Sequence, residues 1–138
     1  AVASLYGTFP VDQAQIIVVP IGNRREAVPW AEVQRAGLPS VHLFIDQSRP
    51  IMEFANDWTG IHELSHLLLP RVDYSDRWIS EGLASYYQNV AKARSGILTQ
   101  HQAWQKLRYG FSRGRAVMNG NLREGKRRER IWLLQEKE

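Results

Sequence analysis

Two histidines and a glutamate near the middle of the chain have the residue types and spacing of a metal site. His62 and His66 stand four residues apart and Glu63 follows the first directly, which makes the pattern H-E-x-x-H. On a helix, four residues turn the chain by about 400° and rise about 6 Å, so both imidazoles project from one face. Glu63 lies about 100° around from His62, beside an ion bound by the two rings, where a carboxylate can act as a base on water. The pattern therefore predicts a hydrolytic metal site.

The metal site needs a third protein ligand, because catalytic zinc takes three and leaves one position for water. The chain contains no cysteine, so that ligand must be His, Asp or Glu. Glu81 is the best candidate, since residues 70–76 are a short connection and Glu81 then falls in the second turn of an antiparallel helix. We predict one zinc ion (Zn2+) bound by His62, His66 and Glu81, with Glu63 as general base. Ser85, one turn after Glu81, is placed to hydrogen-bond a ligand.

Periodicity along the chain predicts strands first and helices afterwards, which is typical of the α+β class. Between the two predicted strands we expect a long loop with one helical turn. Pro70 ends the helix that carries the histidines, Gly96 ends the next, and Thr99 with Gln102 fits a capping box that opens the third. The predicted strands are 15–22 and 40–46, the predicted helices are 57–69, 77–94 and 99–112, and a loop at 114–121 precedes a last helix at 123–138.

The length of 138 residues is that of one domain, so we interpret residues 1–138 as a single catalytic domain. The first residue is Ala1, which is compatible with a processed form or with a fragment of a longer chain. No apolar run approaches the roughly 20 residues of a transmembrane helix, and no signal peptide is visible. The sequence does not indicate an oligomeric state.

The net charge of +4 arises in one region of the chain. Residues 106–130 contain nine Lys or Arg and two Asp or Glu. Such a run is either the solvated face of terminal helices or a patch for nucleic acid or anionic lipid. We expect the solvated face and no nucleic-acid partner, because this stretch has few aromatic residues that could stack on bases.

The segment "HELSH" followed by "WISEGLASYY", within residues 58–88, resembles the gluzincin metallopeptidases. The nearest resemblance is to the glycyl-aminopeptidase-like (M61-type) family, which is often accompanied by PDZ domains, and to the related aminopeptidase N family. The resemblance implies the same zinc ligands and the same base. It also implies a thermolysin-like or aminopeptidase-like core, in which a small β-sheet precedes a helical zinc-binding lobe, and a peptide or protein substrate. Relatives are frequently exported, which favours an exported or periplasmic location.

Two departures separate the chain from the aminopeptidase N pattern. Fewer residues lie between His66 and Glu81, so the connection between the helices must be shorter. Those aminopeptidases also carry an upstream G-A-M-E-N segment that binds the free amine of the substrate. The stretch "IMEFAN" from Ile51 to Asn56 echoes it close to His62, and we interpret the echo as coincidence. The choice between aminopeptidase and endopeptidase activity therefore stays open.

The leading functional prediction is a zinc peptidase that hydrolyses peptide bonds by metal-activated water. We further expect the edge of the strand at 41–46 to bind an extended peptide by backbone pairing. One alternative is a catalytically inactive zinc-binding interaction module. A second alternative is a binder of nucleic acid or anionic surfaces through residues 106–130.

Overall fold

The computed structural model describes residues 1–117, in which a three-stranded sheet precedes four α-helices. The predicted α+β class is therefore confirmed. The helix predicted at 123–138 and residues 118–121 of the predicted loop lie outside the described residues. Residues 114–117 of that loop belong to the last helix instead. The strands are β1 (Gln15–Pro20), β2 (Trp30–Gln34) and β3 (Ser40–Ile45), and the helices are α1 (Ile51–Asn56), α2 (Thr59–His66), α3 (Arg77–Arg94) and α4 (Gln100–Val117).

The sheet has β3 in its centre, with β1 parallel on one side and β2 antiparallel on the other. β3 supplies the β-branched and aromatic residues that suit a central strand, and Val41 is almost fully buried. Both edges of β3 are already hydrogen-bonded to neighbouring strands. The prediction that the strand at 41–46 offers an edge to a peptide is therefore wrong, and β2 is the edge strand that borders the helices.

β2 is a strand that the sequence did not predict. The prediction of a loop with a helical turn between β1 and β3 is wrong, since Trp30–Gln34 pairs with β3 along its whole length. Alanine, glutamate and glutamine in this stretch favour helices when taken locally, but pairing with a hydrophobic neighbour overrides so weak a preference. Gly37, at φ 74°, takes the left-handed conformation that the turn between β2 and β3 requires.

The helices agree with the sequence more closely than the sheet does. α3 has the predicted limits, and Gly96 follows it with φ 77°. The capping box is present, because the Thr99 amide donates to Gln102 Oε1 at 2.8 Å and the Gln102 amide donates to Thr99 Oγ1 at 3.2 Å. α4 continues past the predicted end. The helix predicted at 57–69 is shorter, since α2 ends at His66. No helix within residues 1–117 is both long and apolar enough to cross a bilayer.

α2 turns its polar face inward. Its buried residues are Thr59, His62, Ser65 and His66. The apolar residues on and just after this helix, Ile61, Leu64, Leu67 and Leu68, are only half-buried. α2 packs against β2, β3 and α3. Ser65 on α2 and Ala84 on α3 have no exposed surface, and small side chains of this kind allow two helices to approach closely. Gly82, directly after Glu81, does not take part in this close approach, because no residue outside its own helical turn lies within 4 Å of the position that a Cβ would take.

Asp46 closes the loop that follows β3. Its carboxylate is 1% exposed and accepts three hydrogen bonds, from the Arg24 amide at 2.5 Å, the Ser48 amide at 3.0 Å and the Ser48 hydroxyl at 2.6 Å. The hydrogen bonds from Ser48 and Arg24 lower the pKa of this carboxyl below its ordinary value. Asp46 thereby joins the loop after β1 to the loop that leads into the helices.

Asp46→Asn should destabilise the protein at neutral pH, because an amide cannot accept all three hydrogen bonds. A carboxyl with a lowered folded pKa stabilises the fold above its unfolded pKa of about 3.9. That stabilisation is lost as the pH falls towards the folded pKa. Urea unfolding followed by tryptophan fluorescence should therefore show a lower midpoint for the variant at pH 7 and a smaller difference below pH 4. Asp12→Asn, at an exposed carboxylate, is the matched control and should leave the midpoint unchanged. Equal midpoints for Asp46→Asn and the native chain at pH 7 would contradict this role.

Candidate metal centre

α2 and α3 bring together the three side chains that the sequence predicted as ligands. Glu81 Oε2 lies 3.3 Å from His62 Nε2 and 3.5 Å from His66 Nε2. The two imidazole centroids are 5.0 Å apart, with their planes at 83°. The side chains of His62, His66 and Glu81 are 5%, 7% and 12% exposed. One carboxylate oxygen therefore faces both ring nitrogens in a nearly closed pocket.

Glu63 adds a second carboxylate beside the histidines. Atoms of His62, Glu63 and His66 that can bind a metal all lie within 4.8 Å of one another, so this group could hold a metal ion. Burial raises the pKa of Glu63, whereas the nearby histidines act in the opposite direction. Glu63 is half-buried and lines the adjoining cleft. It therefore lies beside His62, His66 and Glu81 but is more accessible from the cleft than they are.

The distances from Glu81 Oε2 to the two histidine nitrogens are compatible with zinc. In a tetrahedral zinc site with bonds of about 2.0–2.1 Å, neighbouring ligand atoms stand about 3.3–3.4 Å apart. The two distances from Glu81 Oε2 agree with that spacing. The donor set of two imidazoles and one carboxylate is one that zinc commonly takes in catalytic sites. That these residues bind zinc stays a prediction, and the geometry supports it.

The far nitrogen of each imidazole also has a partner on α3. His62 Nδ1 lies 3.1 Å from Gln88 Oε1, and His66 Nδ1 lies 3.0 Å from Ser80 Oγ. A carbonyl oxygen can only accept, so Gln88 requires the proton of His62 on Nδ1, and the Ser80 hydroxyl can accept from His66 in the same way. The Nε2 lone pair of each ring is then available to a metal ion. This is the tautomer that a metal needs.

The charge of Glu81 follows from this arrangement. Burial alone would raise the pKa of Glu81, but the hydrogen bonds from His62 and His66 hold that pKa well below its ordinary value. Without a metal, the carboxylate shares protons with the two rings. A divalent cation can replace those protons, since it satisfies the same three lone pairs at once.

Ser80 and Gln88 are functional residues that sequence reasoning missed. The residue expected to support the ligands, Ser85, instead accepts a hydrogen bond from Asn89 Nδ2 at its backbone carbonyl, at 2.9 Å. Gln88 is seven residues, or two helical turns, after Glu81, so helical spacing could have found it. Ser80 directly precedes Glu81 and reaches His66 only because of how α2 and α3 cross. No sequence spacing reports that crossing.

The residues His62, Glu63, His66 and Glu81 are called the metal-binding group below, as candidates for that role. A cavity of about 750 Å³ adjoins this group and is lined by three of its members, Glu63, His66 and Glu81. One side is lined by β2 with the loop before it, and the other by α2, residues 70–72 and the start of α3. Trp58 lies at one end, where its ring meets the His62 ring edge-on with centroids 5.4 Å apart. Trp78, which lies about one helical turn before Glu81, is not among the residues that line the cavity.

The tyrosines of α3, of α4 and of the connection before α3 do not line the cavity. Among the described residues that line it there is no tyrosine. The Tyr87 hydroxyl is 2.9 Å from that of Tyr6, and Tyr74 is largely exposed under the guanidinium of Arg77. A donor that stabilises negative charge on a bound carbonyl must therefore come from another residue type in this part of the chain.

Glu53 and the two histidines outside the H-E-x-x-H pattern have ordinary structural surroundings. Glu53, in the segment "IMEFAN", forms a bidentate ion pair with Arg49 at 2.7 Å and does not line the cavity. This agrees with the interpretation that the likeness of this segment to G-A-M-E-N is a coincidence. His42 on β3 contacts Ser40 Oγ at 3.1 Å and Glu32 at 3.6 Å. His101 is exposed on α4. These positions supply no second metal site among residues 1–117.

The described part of the basic segment is residues 106–117 of α4. This stretch carries Lys106, Arg108, Arg113 and Arg115 without an acidic residue, and Arg113 stacks on Tyr109 at 4.5 Å. Lys106 and Arg108 are exposed, as expected for a solvated face. Residues 118–130 lie outside the described chain, so the expectation for the whole segment stays a prediction.

Gln88→Leu should weaken metal binding by about 10–100-fold, because the His62 ring loses the acceptor that sets its tautomer and orientation. Competition with a chromophoric chelator measures the affinity, and circular dichroism confirms the fold. Asn89→Leu is the matched control. It removes a neighbouring buried amide that donates a hydrogen bond to the Ser85 carbonyl on the same helix and does not hydrogen-bond to the histidines within residues 1–117. Equal metal affinity for Gln88→Leu and Asn89→Leu would contradict a role for Gln88 at the metal centre.

Comparison with known proteins gives a match over the part of the chain that contains α3. No match to the chain was found among the curated proteins or the solved structures. A family model does match residues 69–126, a stretch that contains Glu81, Ser80 and Gln88 but begins after His66. The family is a peptidase family, and the match supports a peptidase. Over residues 69–126 the chain is similar to the M61 glycyl aminopeptidase family.

Proposed function

We propose that the protein is a zinc-dependent peptidase, with His62, His66 and Glu81 as metal ligands and Glu63 as general base. The observation that carries the proposal is the approach of Glu81 Oε2 to both Nε2 atoms, within 3.5 Å, beside a cleft lined by Glu63. The match of residues 69–126 to the M61 glycyl aminopeptidase family supports it independently, since that stretch does not include the histidines.

The chain supplies the proton transfers of peptide hydrolysis. When bound, a zinc ion provides a Lewis acid that polarises the scissile carbonyl and lowers the pKa of water to about 7. Glu63 accepts a proton from the attacking water and then donates it to the leaving amine. Its burial favours this role, because a carboxylate of raised pKa is a stronger base than an exposed one.

The substrate is proposed to lie along β2. Within residues 1–117, β2 pairs only with β3, so its other edge is free, and residues 30–33 form part of the cavity wall. An extended peptide can add to such an edge through backbone hydrogen bonds. The metal-binding group lies across the cleft from β2, so a peptide paired with this edge passes directly in front of Glu63.

An inactive zinc-binding module is the alternative function. It requires the same metal site but no turnover. The presence of Glu63 beside the histidines favours the peptidase, because binding zinc for structure does not require this carboxylate.

Glu63→Gln should keep the metal and lose about 10²–10⁴-fold in kcat, since the amide cannot take a proton from water. Turnover of a fluorogenic peptide library, with metal content measured on the same samples, tests this. Retained turnover in Glu63→Gln would reject Glu63 as base. No turnover in the native, zinc-loaded chain would favour the inactive module.

The contrasting variants are His62→Ala and Glu81→Ala, which should lose the metal together with the activity. His101→Ala, at an exposed histidine outside the cleft, should lose neither. Full zinc occupancy in Glu81→Ala would remove Glu81 from the ligand set and leave Glu63 as the carboxylate that binds.

N-methylation of the substrate backbone, one position at a time, should reduce kcat/KM by about tenfold at alternate positions. A strand that adds to an edge donates only every second amide to that edge. Peptides methylated at the intervening positions are the internal control. A uniform effect, or no effect at any position, would contradict docking on β2.

A further inference from the structure

The cleft has two ends of different charge. Glu26 and Trp58 line one end, where α2 begins and where Glu26 also borders a smaller cavity with Asp57. Arg35 marks the other end, because its guanidinium donates hydrogen bonds to the backbone carbonyls of His66 and, at 2.6 Å, of Leu69. The cleft therefore follows α2 from an acidic end to a basic end, with the metal-binding group between them.

Three arginines meet at the basic end of the cleft. Arg35, Arg71 and Arg77 all line the cavity, together with Pro70 and Val72. Arg35 is committed to the last carbonyls of α2, and Arg77 Nη2 lies 3.7 Å from Glu81 Oε1. The pKa of Arg35 is lowered by its partial burial and by the positive charge of Arg71. Two like charges are therefore held close together at this end.

Of these three arginines, Arg71 is the one that neither an ion pair nor a hydrogen bond holds within residues 1–117. Among residues 1–117, no carboxylate forms an ion pair with it. Its side chain is exposed at the cavity wall beside a second cation, a position that favours an anion. A carboxylate placed here would offset the repulsion between Arg71 and Arg35. It would also gain the bidentate hydrogen bonds that guanidinium groups make with carboxylates.

We propose that Arg71, assisted by Arg77, forms a subsite for a carboxylate of the bound peptide. This inference rests on the proposed peptidase function and extends it to a substrate class. The carboxylate comes from an Asp or Glu side chain near the scissile bond or from the C-terminus of a short peptide. Neutral peptides lack this contact and bind less well.

The test uses one peptide in four forms. The residue facing the basic end is Glu or Gln, and the C-terminus is a free acid or an amide. The native zinc-loaded protein should prefer one carboxylate form by about tenfold or more in kcat/KM, and the pair that shows the difference identifies the source. The preference should fall as salt is raised, since exposed charges are screened. Equal kcat/KM for all four forms would overturn the proposal.

Arg71→Gln should reduce that preference to less than about threefold, while Arg71→Lys, which keeps the charge without the bidentate geometry, should retain part of it. Arg108→Gln, on the exposed face of α4, is the matched control and should keep the full preference. Arg77→Gln is assayed with its zinc content, because Arg77 adjoins Glu81. A full preference in Arg71→Gln would overturn the assignment.

Peptide binding separates this proposal from the proposed function. Fluorescence anisotropy of labelled peptides on Glu63→Gln requires no turnover. A carboxylate preference in binding that depends on Arg71, without cleavage by the native protein, would reject the peptidase and keep the subsite. Cleavage without any such preference would keep the peptidase and reject the subsite.

Discussion

The structure depends on one buried polar contact, in which the Glu81 carboxylate faces two imidazoles across the interface of α2 and α3. A buried charge without a partner is strongly destabilising, and removing one member of a buried ion pair typically costs about 3–5 kcal/mol. Here each group is satisfied, because Glu81 Oε2 meets both Nε2 atoms and Gln88 and Ser80 meet the opposite nitrogens. The relative position of α2 and α3 is therefore determined by hydrogen bonds between buried polar groups as well as by apolar packing.

This contact explains why α2 has its unusual inward face. A short helix of ordinary amphipathic design would bury its leucines, yet α2 buries Thr59, His62, Ser65 and His66. Such a helix needs support at its ends. Asp57 Oδ1 accepts the Thr59 amide at 2.7 Å at the start, and the Arg35 guanidinium binds the carbonyls of His66 and Leu69 at the end. These contacts satisfy terminal backbone groups that a helix leaves unpaired.

β2 contacts both the helix that carries the histidines and the cleft beside it. It forms one wall of the cavity, offers a free backbone edge to that cavity and leads directly into Arg35, which holds the end of α2. A single element thus supports the histidine helix and borders the space in front of it. The family match covers α3 and α4 but not β2, so only the geometry supports a contribution from the wall that β2 forms.

The sequence by itself determined the features that depend on short-range geometry. The spacing of His62 and His66, the limits of α3, the glycine after it and the Thr99–Gln102 capping box all follow from helical periodicity and from local hydrogen bonding. The position of Glu81 on the next helix also followed, because the connection is too short for another arrangement. Only the tertiary structure decided the identity of β2, the polar inward face of α2, the partners Ser80 and Gln88, and the meeting of Arg35 with Arg71. Each of these depends on pairing between residues far apart in the chain, and local preferences are too weak to determine such pairing.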